Sequence, residues 1–289
     1  MSQFRNLLKY ISPPLVWDVY KWVNNKGKFY GVVGDFHSWK EAERFLRDNH
    51  KEDYSKPEIL NQVLRSIQSV RRGEAVFERD GVIFDKKEYN YPLLATLQRT
   101  INSCRKNNKT VHILDFGGSL GSTFFQNRDY LEAMMPYEWH ICEQPHFVEI
   151  GKKEIPEIKF HEDINSYVES GNPCDILLLS SVIQYFNAPM AWLAKLIKLP
   201  FRYIIIDRTL FNNERKDRLA IQYVPPSIYD ACYPVWLLNK EFLTNFIIQE
   251  GYAVTDEWDS FDRMPVRNGL FSQKIITSKG ILFKNKSYE

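Results

Sequence analysis

The spacing of apolar and polar positions changes character near residue 110. Before it, helical spacing dominates: Ile59, Leu60, Val63, Leu64, Ile67 and Val70 recur three to four positions apart, which is the stripe of an amphipathic helix. Arg71-Arg72-Gly73 closes that run. Ser38-Trp39-Lys40-Glu41 and Ser55-Lys56-Pro57-Glu58 both fit a capping box, in which the N-cap hydroxyl and the carboxylate three residues on satisfy orphan amides reciprocally. Pro57 stands where a missing N–H costs nothing. A further helix is expected over 91–105. From Val111 onward, short β-branched runs alternate with helical stretches, the pattern of βαβ units and a parallel sheet. Strands are expected at 111–116, 138–143, 158–161, 175–179 and 203–207, and their continuous apolar character suits strands covered on both faces. A helix at 240–250 follows, then strands at 252–258 and 279–284, paired antiparallel at the far end of the sheet. Residues 208–238, with Pro225, Pro226 and Pro234, read as a long irregular connection of the kind that usually carries function.

Composition narrows the field. At 289 residues the chain is expected to form one large domain or a core domain with an extension. Its 44% hydrophobic and 26% charged residues exclude collagen-like, mucin-like and wholly disordered classes. Lys+Arg number 38 against 36 Asp+Glu, a net charge of +2, so nucleic acid is excluded as the main partner. Cys104, Cys142, Cys174 and Cys232 lie far apart with no CxxC pair, indicating neither a zinc site nor a disulfide framework and favouring a reducing cytoplasm. No clustered carboxylate or histidine ligands point to a metal. The first residues lack a secretory apolar region, and no stretch is apolar for long enough to span a membrane. Residues 13–23 are aromatic and flanked by Lys9, Lys26 and Lys28. They either rest on the inner face of an anionic membrane or pack as a helix against the domain or a second subunit.

The chemistry concentrates in Val111-His112-Ile113-Leu114-Asp115-Phe116-Gly117-Gly118-Ser119-Leu120-Gly121-Ser122, an acid and three glycines ending the first strand of a parallel sheet. Nucleotide-like ligands bind at that position. Gly117 and Gly121 permit a tight turn, Gly118 adds freedom, and a Cβ there is expected to project into the ligand's space. Glu143, twenty-two residues after Gly121, can accept hydrogen bonds from both hydroxyls of a ribose. A dinucleotide site normally avoids an acid before the glycines, because pyrophosphate needs a helix N-terminus unopposed by negative charge. Asp115 is better matched to S-adenosylmethionine, whose amino group and sulfonium are positive. An NAD-dependent sugar-modifying enzyme remains the alternative on the same sheet.

At this point the chain resembles the class I S-adenosylmethionine-dependent methyltransferases, whose motif of an acid followed by x-G-x-G-x-G is matched by Asp115 to Gly121 with Ser119 in place of the middle glycine. The resemblance implies an α/β, Rossmann-like, seven-stranded and mostly parallel sheet with helices on both faces, spanning 90–289. A helical N-terminal region, 1–89, would cover the acceptor side. It also implies that Asp115 and the turn Gly117, Gly118, Ser119 and Gly121 contact the methionine part, Glu143 the ribose, Asp163 the adenine or else a helix start, and Ser180 the edge of the site. A narrower resemblance rests on Ser38-Trp39-Lys40-Glu41-Ala42, Tyr54, Gly73-Glu74-Ala75-Val76-Phe77-Glu78-Arg79-Asp80, Tyr91-Pro92-Leu93-Leu94 and Ile206-Asp207-Arg208-Thr209. These segments look like a little-characterised family of bacterial methyltransferases encoded among surface-polysaccharide biosynthesis genes. The implied acceptor is a hydroxyl on a glycan or sugar nucleotide of a capsule, O-antigen or lipopolysaccharide.

Methyl transfer to a hydroxyl is an in-line displacement that needs the acceptor positioned and its proton removed. Asp207 is the expected base or a hydroxyl-orienting group. Arg208 would bind an acidic acceptor or pair with Asp207. His37 offers a base on a lid or simple packing at a helix start. His112 and His140 read as core histidines, and His161 as remote from the methyl. Arg79 is a candidate for acceptor binding. Tyr185, Tyr229, Tyr233 and Trp236 are candidates for stacking on a sugar or for core packing. A non-catalytic module of a glycan-assembly complex is a further alternative.

Overall fold

The computed structural model describes residues 29–49, 57–86, 88–105, 109–134, 136–212, 214–226, 228, 231–268 and 272–288. The expected helix start at Ser55, the aromatic segment 13–23, Tyr54 and Tyr229 lie outside them.

The first element among the described residues is a strand, β1 (Gly31–Phe36), followed by α1 (Trp39–Asp48), whose N-cap Ser38 accepts from the Glu41 amide as the sequence pattern requires. Next come α2 (Pro57–Arg71), a small hairpin of β2 (Phe77–Arg79) and β3 (Val82–Phe84), and α3 (Tyr91–Cys104), capped by the Asn90 side chain. The expected N-terminal extension is therefore not purely helical. The βαβ run then folds as β4 (Val111–Phe116), α4 (Ser122–Leu131), β5 (Tyr137–Cys142), α5 (Pro145–Glu154), β6 (Lys159–His161), α6 (Ile164–Glu169), β7 (Ile176–Ser180), α7 (Pro189–Ile197) and β8 (Tyr203–Thr209). After it stand β9 (Phe211–Asn212), β10 (Arg218–Tyr223), β11 (Cys232–Asn239), α8 (Lys240–Gln249), β12 (Tyr252–Asn268) and β13 (Ser272–Asn285).

Among the described residues one sheet holds eleven strands, in the order β6-β5-β4-β7-β8-β13-β12-β1-β10-β11-β9. The expectation of seven strands is corrected to eleven, while the antiparallel pairing expected of 252–258 with 279–284 is present as β12 with β13. Residues 208–238 correct the reading further, since they form three strands rather than an irregular connection. Pro234 hid β11. It pairs with Ile221 of β10, and at that point β11 has no second neighbour, because β9 meets it only at Leu238 and Asn239. An edge position tolerates a missing N–H.

Burial fixes the parallel half. Ile176 to Leu179 and Ile204 to Ile206 are all fully buried, each such side chain contributing about 1.5–3 kcal/mol over an exposed one. One face of the sheet packs on Ile59, Val63 and Ile67 of α2, on α3 and on α4, and the other on Leu193, Leu196, Leu243 and Ile247 of α7 and α8. Thus α2, from the N-terminal region, shares the central core. The β12–β13 hairpin is longer than its neighbours and shifts register between Asp259 and Arg263. Its lower part pairs with β8 up to Thr209. Its upper part runs past the carboxyl end of β8, and β1 joins there through Val32 and Val266. Among the described residues no helix is long and apolar enough to cross a membrane.

Candidate functional site at the carboxyl edge of the sheet

Strand order reverses beside β4, whose neighbours are β5 on one side and β7 on the other. In open α/β sheets the crevice at such a reversal, outside the carboxyl ends of the strands, is where ligands bind. Asp115 and the glycine turn end β4, Glu143 follows β5, Ser180 ends β7, and Asp207 and Arg208 lie at the end of β8. The sheet thus brings together residues spread over more than ninety positions.

The turn is tightly built. Gly117 has φ +75 and Gly121 φ +97, conformations that favour glycine. A Cβ on Gly117 would come within 2.3 Å of Val182, one on Gly121 within 2.3 Å of Ile158, and one on Gly118 within 2.5 Å of the Asp115 carboxylate. The expectation that these glycines clear space for a ligand is therefore corrected: they clear space for the chain's own Val182, Ile158 and Asp115. Ser119 holds φ +53, the backbone that the replaced glycine would adopt freely, at a cost of about 1–2 kcal/mol.

The buried acids carry the electrostatics. Asp115 is 1% exposed, and its Oδ2 has no hydrogen-bond partner. Burial pushes its carboxyl up to about 7, against the Trp139 indole, which approaches without completing a hydrogen bond, and with the charge of Glu143 adding to the rise. Glu143 is raised by burial too, opposed by the amides of Gln144, 2.6 Å away, and Ser119. The Ser119 hydroxyl is buried without a partner. Asp163 caps α6: its Oδ1 accepts from the Ser166 amide at 2.8 Å, which holds its carboxylate below the usual range. The cap reading, rather than an adenine contact, is the one the geometry displays.

Asp207 is corrected as a base. It is fully buried, and its oxygens accept from Asn90 Nδ2 at 2.9 Å, Ser180 Oγ at 3.4 Å, Trp258 Nε1 at 3.0 Å and Ser260 Oγ at 2.8 Å. A carboxylate offers about four acceptor sites, so none is left for a substrate proton. Asp207 instead ties α3, β7, β8 and β12 together. Arg208 is likewise committed, to Asp262 and, at 3.0 Å, to Asp80. It is not a free anchor for an acidic acceptor. Arg79 stacks its guanidinium on Phe261, 4.5 Å from the ring centre, with Asp262 at 3.9 Å and Nη1 buried without a hydrogen bond. It belongs to the same charged cluster.

His37 is exposed, beyond the end of β1, and its amide donates to Glu41. Since β1 lies three places from β8 and five from β4 in the sheet, the structure does not bring His37 to the glycine turn. Tyr185 and Tyr233 do meet, edge to face with centroids 5.2 Å apart, and the Tyr185 hydroxyl donates to Gln222. Trp236 packs on Trp39 and donates to the Phe186 carbonyl.

The sequence reading missed Glu78 as a site residue. This residue of the β2–β3 hairpin is 2% exposed. Its Oε2 accepts from the Gly81 amide at 3.2 Å, and its Oε1 is buried without a partner. Burial pushes it up to about 7, opposed first by the Ser122 side chain at the start of α4. Glu78 therefore adjoins the glycine turn from the N-terminal side, a placement that no local pattern around residue 78 announces. The described residues include four non-glycine residues with φ near +50: Asp80, Ser119, Ser181 and Arg208. All four sit at this edge, and such strain gathers where a site is held in a set geometry. Away from it, the expectation that no ligands cluster is also corrected, since His112, Glu138 and His140 bring ligand atoms within 4.8 Å of one another.

No family model matches the chain, and no curated protein matches it. Solved structures of similar fold include the 1,6-didemethyltoxoflavin-N1-methyltransferase of Burkholderia thailandensis with 1,6-didemethyltoxoflavin and S-adenosylhomocysteine bound (15% identity, 80% of this chain and 91% of that one, TM-score 0.41). An S-adenosylmethionine-dependent methyltransferase of Clostridium acetobutylicum is 9% identical over 78% of this chain and 98% of that one, with a TM-score of 0.40. A pericyclic-reaction enzyme is 10% identical over 98% and 92%, with a TM-score of 0.44. Likeness of this depth assigns neither activity nor substrate, and the chemistry has to be read from the residues of the site itself.

Proposed function

We propose that the chain is an S-adenosylmethionine-dependent methyltransferase acting on an oxygen nucleophile, a sugar hydroxyl of a bacterial surface glycan or its precursor. The observation that carries this reading is the pairing of Asp115 and Glu143 at the strand-order reversal, with Asp115 Oδ2 and Ser119 Oγ buried and unpartnered. Two acids and a hydroxyl fit a cationic amino group and a ribose diol. The turn from Asp115 to Ser122 carries no Lys or Arg, so a pyrophosphate would face negative charge without compensation. When bound, the cofactor supplies an electrophilic methyl on sulfur.

The rest falls to the chain. Asp115 and Glu143 hold the cationic nucleoside, and the strained turn fixes its approach. Glu78, with a buried, unpartnered oxygen and a carboxyl held near neutral pH, takes the acceptor's proton, as a general base tuned near its working pH does. The upper β12–β13 hairpin, β1 and β10 wall the acceptor side, and the Tyr185–Tyr233 pair supports a sugar acceptor there.

Thermal unfolding with S-adenosylhomocysteine and, separately, NAD tests the cofactor. Saturating S-adenosylhomocysteine at about 100 times its dissociation constant should stabilise the fold by about 2.7 kcal/mol, and NAD should not. Stabilisation by NAD alone would reverse the choice. The acceptor is tested by mass spectrometry of surface glycan from cells with and without the protein, where loss of methyl groups is expected.

A further inference from the structure

A row of polar side chains crosses β4, β5 and β6 obliquely, from His112 near the start of β4 to His161 at the end of β6. His112 and Glu138 are register partners, His140 follows two residues along β5, and Lys159 and His161 continue the row on β6. His112 Nδ1 lies 3.1 Å from His140 Nε2. Glu138 Oε2 lies 3.5 Å from each of these two nitrogens. The three atoms form a nearly equilateral triangle. A tetrahedral zinc ion with bonds of about 2.0–2.1 Å has edges of about 3.3 Å between its ligand atoms, so one ion fits this triangle with shifts of a few tenths of an ångström.

The surroundings match as well. His140 Nδ1 is 3.0 Å from His161 Nε2. A metal-bound histidine characteristically donates its second ring N–H to a neighbour, which fixes its tautomer. Donation from Nδ1 leaves the Nε2 lone pair of His140 for the triangle. The His140 side chain is fully buried, while those of His112 and Glu138 keep 14% and 35% of their exposure, so an ion can enter and keep water in its fourth position. Imidazole with a carboxylate suits zinc better than magnesium or calcium, which prefer oxygen alone.

We infer that His112 Nδ1, Glu138 Oε2 and His140 Nε2 form a binding site for one divalent transition-metal ion, zinc fitting best. The ion pins the first two strands of the parallel sheet together. From His112 to Asp115 is three residues along β4, roughly 10 Å at the usual strand rise, so the ion stands apart from the glycine turn. Lys159 Nζ lies 2.7 Å from the same Glu138 oxygen and is 57% exposed. Zinc therefore competes with an ammonium that is free to swing into solvent.

Metal-stripped full-length protein titrated with zinc chloride, followed by calorimetry and thermal unfolding, tests the site, with cobalt(II) as a visible-absorption probe of tetrahedral geometry. One ion per chain and a raised unfolding temperature are expected. Glu138→Gln and His112→Gln, both at partly exposed positions, should each weaken binding by at least about tenfold. Lys159→Met should tighten it by removing the competitor. The proposal is overturned by absence of saturable one-to-one binding, by zinc binding that is unchanged in both ligand variants, or by Lys159→Met leaving affinity unchanged or weaker. Any of these would leave the row a hydrogen-bonded imidazole ladder.

Discussion

Two buried acids at the ends of parallel strands, β4 and β8, show how differently a single residue can be read. Asp115 and Asp207 both close apolar strands. Asp207 meets four donors and is spent on structure, whereas Asp115 keeps a buried oxygen without a partner. Three of the donors to Asp207, from Asn90, Trp258 and Ser260, are more than fifty positions away, so its commitment could not be read from its neighbours. The elevation of Asp115 from 3.8 to about 7 has a measurable sign. The folded state holds a proton that the unfolded chain has released between about pH 4 and 7, so stability falls as pH rises through that window. Asparagine cannot ionise. Without cofactor, Asp115→Asn should therefore match the parent near pH 4 and exceed it by on the order of 2–4 kcal/mol above pH 7. Glu78 acts in the same sense. His140, held near 3 by burial, acts in the opposite one, so only the difference between variant and parent isolates Asp115. Calorimetric unfolding from pH 4 to 8 checks this, and a difference independent of pH would show that Asp115 titrates normally.

At the scale of elements, the glycine turn is a packing device. Gly117→Ala sets a methyl against Val182 and forces alanine to φ +75. The backbone strain alone is about 1–2 kcal/mol, and overpacking typically adds 1–3 kcal/mol. Val182→Ala in the same chain should recover the contact part and leave the strain, a partition that denaturant midpoints of the two single variants and the double one would measure. Equal loss in single and double variants would mean that Val182 yields freely. The turn was legible because Asp115 to Gly121 is contiguous and Glu143 stands one βα unit on. Glu78 was not, since its neighbour Ser122 lies 44 positions away and only the hairpin's docking joins them. The strands β4 to β8 were legible because continuous apolar runs can only be buried on both faces. By contrast, β1 was obscured by Gly31 and Gly34, and β11 by Pro234, residues whose local preference opposes strands and which the distal part of the sheet accommodates. The histidine row escaped notice for the same reason as Glu78: register, rather than spacing along the chain, brings its members together.

For the whole molecule, the question is whether the first 89 residues form a cover that could be removed or a part of the fold. Strand β1 lies inside the sheet, parallel to β12 and antiparallel to β10, and Val32 and Val266 are fully buried. The Arg218 guanidinium donates to the Gly34 carbonyl at 2.9 Å and to the Arg267 carbonyl at 3.1 Å, clamping all three strands. Without β1, β10 and β11 lose their connection to the hairpin that carries them. Helix α2 adds Ile59, Leu60, Val63 and Ile67 to the central core. At about 1.5–3 kcal/mol each, these four side chains alone contribute about 6–12 kcal/mol, comparable with the 5–15 kcal/mol that separates most native domains from unfolding. A chain beginning at residue 90 should therefore fail to fold cooperatively, with the near-ultraviolet circular dichroism and protease resistance of the full protein lost together. If that shortened chain instead unfolds in one sharp transition and still binds S-adenosylhomocysteine, the boundary at residue 89 divides two independent units and the distal strands are dispensable. The burial of Val32 and the clamp at Arg218 argue for the first outcome, in which the distal strands and the glycine turn are built by one indivisible sheet.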